Sequence, residues 1–390
     1  MEDWSLDVIN AYCQEHVQGR VACEMTEEQG RIMVSRQDVP QGEVLFIEPV
    51  LHIVQEDETN EAFMAVKALS EDEPDDFDYE PLWYWTGLCS LTQEQVQKGP
   101  KVGSLPYVTA EQQRRLLCLY HEPVEEASDA VLSIIRRLGL KVDPLLVEEL
   151  LQTWILNCFE HSEEPQGYSV YFASSFANHS CSPNAIWAEG DDGAHVLRAR
   201  EHISEGDEVT ISYLEENVLL HSAEARKRVL KDTKLFECAC ARCAPPASSG
   251  SDCVGVDMCR GFYCLRCGEC AIFHPLRWSR GKGKTKGKGK MHALHGIECS
   301  SCGATVDVNE CKRLLQAESS LDTKLKHLEK QIEEKGLGQV MDQDRARSLL
   351  KLVANGTSGP VGPQHFLCDQ LWEYLQDWYG LQGRREEQRL

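Results

Sequence analysis

The sequence predicts an α+β protein with a zinc-binding segment. Strand-like runs rich in β-branched residues occupy residues 30–53 and 168–213, and a helical pattern fills residues 109–158 between them. Twelve of the 18 cysteines lie between Cys181 and Cys311, mostly at short spacings. Clustered cysteines usually bind metal, whereas scattered ones usually pack in a core. We therefore expect an interrupted β-rich unit with a helical insert, then zinc-binding cysteines, then helices.

Composition limits the class of protein. A chain of 390 residues is long enough for two or three structural units, and its hydrophobic content of 42% is enough to form cores. The net charge of −23 argues against wholesale nucleic-acid binding and suits a basic partner such as a lysine-rich peptide. Solubility alone explains the same charge equally well.

The location of the protein can also be predicted. The N-terminal residues MEDWSLDVIN lack the basic and apolar regions of a secretory signal, and no apolar run approaches the ~18 residues that a membrane span needs. We expect a cytoplasmic or nuclear protein with no membrane contact. In a reducing compartment its cysteines are metal ligands and buried thiols rather than disulfides.

The elements follow from local patterns. Pro40 and Gly42 supply a turn between two strands of the 30–53 segment, and residues 71–80 are so acidic that a solvated loop is expected there. Asp143 followed by Pro144 predicts a helix start. Near the C-terminus two apolar stripes predict packed helices; their members are Leu321, Leu325, Leu328 and Ile332, and Leu367, Leu371, Tyr374 and Trp378.

Three motifs carry the chemistry. They are NHSCSPN at residues 178–184, GDEVTISY at 206–213 and CACARC at 238–243. Each motif alone could be a loop, a core segment or half of an ordinary zinc site. Their occurrence together, in this order, is specific.

With these motifs the sequence resembles the SET-domain lysine methyltransferases, most closely the SMYD (SET and MYND) branch, over roughly residues 20–303. The resemblance implies a SET β-clip fold with a pseudoknot, a helical insert, a post-SET zinc site, a zinc-ribbon-like segment and a short C-terminal helical region. The implied division is 1–55, N-terminal part of the SET domain; 56–155, acidic loop and insert; 156–215, C-terminal part; 216–245, post-SET segment; 246–312, ribbon-like segment; 313–390, C-terminal helices.

The resemblance also implies the site residues and the reaction. It implies methyl transfer from S-adenosylmethionine to a lysine of a histone or non-histone protein, with Tyr213 as the active-site tyrosine. Phe159 and Tyr171 would line the channel for the substrate lysine. The expected cofactor contacts are Gly30, Arg31, Asn157, Asn178, His179 and, stacked on the adenine, Phe236.

The cysteine spacing predicts two structural zinc ions. CACARC supplies three thiolates, Cys238, Cys240 and Cys243, and a closed structural site needs four. In the SMYD-type pattern the fourth is Cys181, so one metal would hold the Phe236 segment against the NHSC loop. The pairs Cys264/Cys267 and Cys299/Cys302 have the spacing of a zinc ribbon, in which Cys270 could replace one member. The remaining cysteines of this region stay unassigned: Cys253, Cys259 and Cys311.

The sequence departs from the family pattern in four ways, two of which, at Ile32 and Lys234, motivate an alternative function. Residues 52–117, where the MYND zinc finger would lie, contain a single cysteine, Cys89. Ile32 stands where the family often has a glycine, and Lys234 stands where it usually has a tyrosine. The C-terminal helical region is short compared with that of the SMYD branch. The alternative is a catalytically weak or inactive SET-derived scaffold that binds zinc. The basic run at 280–290 allows a weak nucleic-acid contact or a solvated insertion, and alone supports a third hypothesis, a nucleic-acid-binding ribbon protein.

Overall fold

The structure is a computed structural model whose chain divides into two compact units, Met1–Ser212 and Tyr213–Leu390. It describes residues 4–97, 103–190, 193–244, 255–276, 294–354 and 361–381. Cys253 and the basic run at 280–290 therefore lie outside the described residues.

The first unit combines small sheets with a helical insert between β4 and β5. β1 and β2 form a hairpin, β9 lies between β3 and β8, β6 lies between β4 and β5, and β7 pairs with β10. The strands are β1 (Val21–Thr26), β2 (Gly30–Ser35), β3 (Val44–Glu48), β4 (His52–Gln55), β5 (Phe159–Glu163), β6 (Gln166–Val170), β7 (Asn178–His179), β8 (Ala185–Glu189), β9 (His195–Ala199) and β10 (Thr210–Ile211).

The strands predicted on either side of the turn within residues 30–53 are present, but they do not pair with each other. β2 pairs with β1 of the preceding segment, while β3 pairs with β9. The turn at Pro40 and Gly42 exists, but it sends the chain toward a distant partner, since the N–H of Gly42 donates to the carbonyl of Ala199 at 2.9 Å. Local turn chemistry therefore predicted the bend without predicting which strand follows it.

Helices make up the insert and precede the first strand. Asp143 caps α7 by accepting from the N–H of Leu145 at 3.1 Å, which confirms the predicted start. Trp154 of that helix is fully buried and donates to Ser90 Oγ at 2.7 Å. The helices are α1 (Trp4–His16), α2 (Glu61–Asp72), α3 (Pro81–Cys89), α4 (Gln93–Gln97), α5 (Ala110–Leu116), α6 (Asp129–Leu138) and α7 (Pro144–Asn157).

The acidic segment is more ordered than a loop. Its first residues complete the last turn of α2, and Pro74–Asp76 form a 3-10 turn. Phe77 packs edge-on against Tyr84, with ring centroids 4.9 Å apart. The acidic side chains are exposed, so the expected solvation is present although the expected absence of structure is not.

The second unit joins a two-stranded sheet to a helical core. The two predicted leucine stripes meet in one buried cluster, which contains Leu325, Leu371 and Trp378. Its elements are α8 (Glu216–Leu220), α9 (Ala223–Lys234), β11 (Val256–Tyr263), β12 (Cys270–Pro275), α10 (Val308–Lys335), α11 (Leu337–Val340), α12 (Gln343–Ala354) and α13 (Phe366–Leu381).

A buried ion pair links β11 to α10 beside this core. Glu318 accepts from Arg260 Nε at 2.5 Å and Nη2 at 2.8 Å, and lies 3.1 Å from His365 Nε2. Burial raises the pKa of the Glu318 carboxyl, but these hydrogen bonds outweigh it and lower the pKa to about 2.

Candidate active site and metal centres

Two motif segments that are distant in sequence are adjacent in the first unit. β7 and β10 run parallel, with Asn178 opposite Thr210 and His179 opposite Ile211. The N–H of Ser180 continues the pairing by donating to the carbonyl of Ile211 at 2.9 Å. The NHSC loop therefore lies directly against the strand that ends before Tyr213.

Asn178 connects this pair to the opening hairpin. Its Nδ2 donates to the Arg31 carbonyl at 3.0 Å and to Glu208 Oε1 at 3.1 Å. Gly30, at the start of β2, has φ +73°, and the space where a Cβ would lie contains no atom within 4 Å. Glycine adopts this conformation without strain, and it leaves the main chain beside Asn178 accessible to a ligand.

The side chain of Arg31 points elsewhere. Its guanidinium donates to Ser5 Oγ at 2.8 Å and to the Cys118 carbonyl at 2.7 Å, and lies 5.1 Å above the ring of Phe176. Arg31 therefore contributes only its main-chain carbonyl to the hydrogen bonds around Asn178. Ser5 and Cys118 were not predicted as neighbours, because no local pattern links them to residue 31.

Asn157 lies at the end of α7. Its Nδ2 donates to the Tyr120 carbonyl at 2.8 Å and to the Thr153 carbonyl at 2.7 Å. Tyr120 is half exposed, and its hydroxyl hydrogen bond to Glu122 raises its pKa. Tyr120 is therefore a further candidate for contact with the cofactor, and the sequence analysis missed it.

The two predicted channel aromatics are neighbours. The rings of Phe159 and Tyr171 lie 5.6 Å apart at 72°. Both also contact His195, at 4.8 and 4.6 Å between centroids. His195 was not predicted as a site residue.

Tyr213 and Phe236 contact each other within the second unit. Their ring centroids lie 6.3 Å apart at 84°, an edge-to-face arrangement. Lys234 is the last residue of α9, and Leu235 follows with φ +62°, which turns the chain before Phe236. The predicted tyrosine and adenine-stacking aromatic are therefore in contact.

The first predicted zinc site has its four thiols together. The sulfur atoms of Cys181, Cys238, Cys240 and Cys243 all lie within 4.8 Å of one another, and three of these residues are buried. Around a zinc ion with Zn–S bonds of about 2.3 Å, tetrahedral sulfur atoms are ~3.8 Å apart. The limit of 4.8 Å on the sulfur separations is therefore compatible with a zinc site.

Two polar side chains border this cluster. His179 Nε2 lies 3.3 Å from Cys181 Sγ, and Arg226 Nη2 donates to Cys243 Sγ at 3.5 Å. Arg226 is fully buried. A buried cation that donates to a metal-bound thiolate stabilises its negative charge.

The second cluster confirms the ribbon prediction. Cys264 and Cys302 have sulfur atoms 3.8 Å apart, and Cys267 and Cys299 have theirs 3.7 Å apart. All four lie within 4.8 Å of one another, so Cys270 is not a member. Backbone N–H groups of Cys267 and Arg266 lower the pKa of the Cys264 thiol to about 7, which favours the thiolate that binds metal.

Each pair of this cluster belongs to the same kind of turn. Gly268 follows Cys267 with φ +78°, and its N–H donates to the Cys264 carbonyl at 2.9 Å. Gly303 follows Cys302 with φ +70° and donates to the Cys299 carbonyl at 2.9 Å. The repeated C-x-x-C-G turn explains how both pairs present their sulfur atoms.

Two further described cysteines of this region, Cys259 and Cys311, are outside both clusters. Cys259 accepts a hydrogen bond from Arg242 Nη2 at 3.1 Å, and Cys311 is buried in the apolar cluster around Phe262.

Among the described helices, none is long and apolar enough to span a membrane.

Comparison with known proteins agrees with this geometry. The family model "SET domain" matches residues 30–214, which run from the opening hairpin through Tyr213. A solved structure titled as the SET domain of LSMT bound to lysine and AdoHcy aligns with 98% of this chain and 91% of that chain. Its TM-score of 0.33 and identity of 11% are too low to support a conclusion.

Curated relatives match shorter segments. Histone-lysine N-methyltransferase ASHR1 of Arabidopsis thaliana is 44% identical over 80 residues, 20% of this chain and 16% of that protein. Protein-lysine N-trimethyltransferase SMYD5 of Gallus gallus is 32% identical over 112 residues, 27% of each chain. Histone-lysine N-methyltransferase SMYD3 of Mus musculus is 41% identical over 78 residues, 20% of this chain and 17% of that protein.

The motifs and the family match define the class of one segment: residues 30–214, just under half of the chain, match the SET domain. Within that class its sequence is close to the SMYD branch. The matches cover between 16% and 27% of the length of these three relatives.

Proposed function

We propose that the protein transfers a methyl group from S-adenosylmethionine to a lysine side chain of a histone or non-histone protein. The observation that carries the proposal is the junction of β2, β7 and β10. There the Asn178 amide joins the Arg31 carbonyl to Glu208 of the GDEVTISY motif. This junction joins two segments that the SET-family resemblance assigns to cofactor binding, at Arg31 and at Asn178, to the motif that carries the proposed active-site tyrosine, Tyr213.

The residues of this junction suit the proposed cofactor. Gly30 leaves its main chain open to close approach. The Nδ2 groups of Asn178, in the junction, and of Asn157, at the end of α7, each donate to two groups of the protein, so these residues would offer their side-chain oxygens to the cofactor. An aromatic ring such as Phe236 suits stacking on adenine. When bound, the cofactor supplies a methyl group on a positively charged sulfur.

The part of the active site that binds the substrate lysine must present a neutral amine whose lone pair points at that methyl group. At a pKa near 10.4, only about one lysine in a thousand is neutral at pH 7.4. An aromatic-lined channel such as that proposed for Phe159 and Tyr171 disfavours the ammonium by desolvation. The hydroxyl of Tyr213 is proposed to orient the amine, and orientation can contribute roughly 7–11 kcal/mol in the best cases.

In this proposal zinc has a structural role. All four positions of each cluster are filled by thiols, whereas a catalytic zinc keeps one position for water or substrate. The metal is therefore not expected to contact the reacting atoms.

The test is methyl transfer from S-adenosyl-[methyl-³H]methionine to core histones and to a lysine peptide array, by the zinc-loaded wild type and Tyr213→Phe. Binding of S-adenosylhomocysteine by calorimetry, with Asn178→Ala for comparison, is measured in parallel. We expect lysine-dependent labelling that Tyr213→Phe lowers at least ~100-fold, while cofactor binding persists in that variant. Cofactor binding without labelling of any peptide would favour the scaffold; folded protein that binds no cofactor would refute the proposal.

A further inference from the structure

An aromatic pair joins α3 to β6 at the surface of the first unit. The rings of Trp83 and Tyr168 are stacked, with centroids 4.3 Å apart and an angle of 19° between their planes. The neighbours of Trp83 in α3 face the core instead: Leu82, Tyr84 and Trp85 are at most 3% exposed. Trp83 and Tyr168 are both half-buried, so part of their ring surface reaches solvent. We call these two residues the Trp83 stack.

Two carboxylates flank the Trp83 stack. Glu160 of β5 lies directly opposite Tyr168 in the strand register, so the two side chains share one face of the sheet, with Cβ atoms roughly 4.5–5.5 Å apart. Glu80 immediately precedes α3, and its carbonyl accepts from the N–H of Trp83 at 3.0 Å. Burial raises the pKa of Tyr168, and the Cys158 thiol and the carboxylates of Glu80 and Glu160 raise it further. Both carboxylates therefore act electrostatically on the tyrosine ring.

The negative charge around the stack has no local counter-charge. Glu80 and Glu160 are exposed, and neither forms an ion pair within the described part of the chain. Residues 71–80, which include Glu80, contain seven carboxylates and no lysine or arginine, and all seven acidic side chains are exposed. Aromatic faces attract cations, and so do carboxylates. A cation is therefore the type of group that complements this surface.

Arginine complements the Trp83 stack better than lysine does. A guanidinium is planar, so it can lie on an aromatic ring while the N–H groups at its edge donate to carboxylates. It is also more weakly hydrated than an ammonium, so it loses less hydration energy when it stacks. Tryptophan, tyrosine and arginine are all enriched at protein interfaces relative to the rest of the surface. The stack takes its cation in charged form at a solvated surface, whereas the proposed lysine channel needs a neutral amine.

We infer that the Trp83 stack binds an arginine of a basic protein segment, and that Glu80 and Glu160 accept hydrogen bonds from its guanidinium. The inference deepens the proposed function and rests on it, since it assigns this segment to the protein that is methylated. Glu160 follows Phe159, which is proposed to line the lysine channel, in β5, an edge strand of its sheet among the described residues. Successive side chains of a strand point to opposite faces. A segment that crosses this edge therefore reaches both residues, and the substrate class is a lysine with an arginine nearby in sequence.

The experiment measures peptide binding without turnover. Fluorescein-labelled peptides of equal length, in which glycine alternates with arginine, lysine or uncharged citrulline, are titrated with the zinc-loaded full-length protein, and fluorescence anisotropy gives the Kd. We expect the arginine peptide to bind at least about threefold more tightly than the lysine peptide, and the citrulline peptide to bind more weakly than both. Trp83→Leu keeps an apolar contact with Tyr168 but removes the indole, and should weaken binding of the arginine peptide about 3–30-fold. Tyr107→Leu, at an exposed tyrosine outside the stack, is the control and should leave the Kd unchanged.

A second pair of variants tests the carboxylates and decides the question if Trp83→Leu fails to fold. The double variant Glu80→Gln, Glu160→Gln should weaken binding of the arginine peptide about 3–10-fold. The double variant Glu125→Gln, Glu126→Gln removes the same charge from exposed positions elsewhere and should change the Kd less. Equal affinity of the wild type for the arginine and lysine peptides, or equal losses in the two double variants, would overturn the inference.

Two further results separate this inference from its alternatives. Dimerisation in analytical ultracentrifugation that Trp83→Leu abolishes would assign the stack to a second copy of this chain and would overturn the inference. Selective binding of the arginine peptide without methyl transfer to any peptide would refute the proposed function only. Methyl transfer with the same KM for lysine peptides with and without a neighbouring arginine would refute this inference only.

Discussion

The two thiol clusters are chemically alike but differ in how the chain builds them. In the ribbon cluster two C-x-x-C-G turns each present a pair of sulfur atoms, and Cys267 and Cys302 are exposed. In the other cluster a compact C-x-C-x-x-C run is completed by Cys181, which is buried and belongs to the NHSC loop. The ribbon cluster stabilises its own turns, whereas the cluster of Cys181, Cys238, Cys240 and Cys243 connects distant segments of the chain. Removal of zinc should therefore have different consequences at the two clusters.

The largest predicted effect tests this difference directly. Cys238→Ser and Cys267→Ser should each lower the zinc content from two ions to one. Structural zinc contributes ~10–16 kcal/mol in zinc-finger peptides, so each loss should unfold the segment around its own cluster. Cys238→Ser should also abolish binding of S-adenosylhomocysteine, and Cys267→Ser should leave it within about threefold of wild type.

Native mass spectrometry gives the zinc count of both variants, and calorimetry gives their cofactor affinity. Cys259→Ser is the control, because Cys259 belongs to neither cluster. Loss of cofactor binding in Cys267→Ser as well would show that the clusters are energetically coupled.

The same contrast shows what the sequence can predict. The ribbon follows from spacing alone, since both C-x-x-C pairs are visible in the chain. The assignment of Cys181 needed a family resemblance, because no local pattern connects it to Cys238. In general, elements with local signals were predictable, such as α7 with its Asp143 cap.

Tertiary contacts decided the features that were missed. The partner of β2 depends on β1, whose VACEMT sequence lacks a clear alternation of apolar and polar residues. The partners of the Arg31 guanidinium lie 26 and 87 residues away in sequence. Trp83 and Tyr168 are also far apart in sequence, so their stacking could not be recognised before the packing of α3 beside β6 was known.

An intermediate effect is predicted outside both clusters, at the buried ion pair of the second unit. Glu318→Gln would remove the closest carboxylate from the half-buried Arg260, whose Nη1 also lies 3.8 Å from Glu224, and should cost up to about 3 kcal/mol of unfolding free energy at pH 7. Because the folded-state pKa of Glu318 is lowered to about 2, its contribution is present above the unfolded value near 4.5 and is lost as pH falls from 4.5 toward 2.

Urea unfolding followed by circular dichroism checks the size of this effect at pH 7. Glu310→Gln is a suitable control, since its ion pair with Arg266 involves a half-exposed guanidinium and should contribute at most about 1 kcal/mol. Equal losses in the two variants would show that burial does not distinguish the two pairs.

The smallest predicted effect concerns the charge beside the connecting cluster. Arg226→Met removes the buried guanidinium that donates to Cys243 Sγ while it keeps an unbranched apolar side chain in the core. Loss of such a partner typically weakens metal affinity about 10–100-fold, equivalent to roughly 1.4–2.7 kcal/mol.

Arg242→Met is the matched control, because Arg242 donates to Cys259, which is outside the clusters. Competition with a chelator, followed ion by ion, should show one of the two zinc ions released more readily in Arg226→Met and neither in Arg242→Met. Equal release in the two variants would mean that the cysteine ligands alone set the zinc affinity.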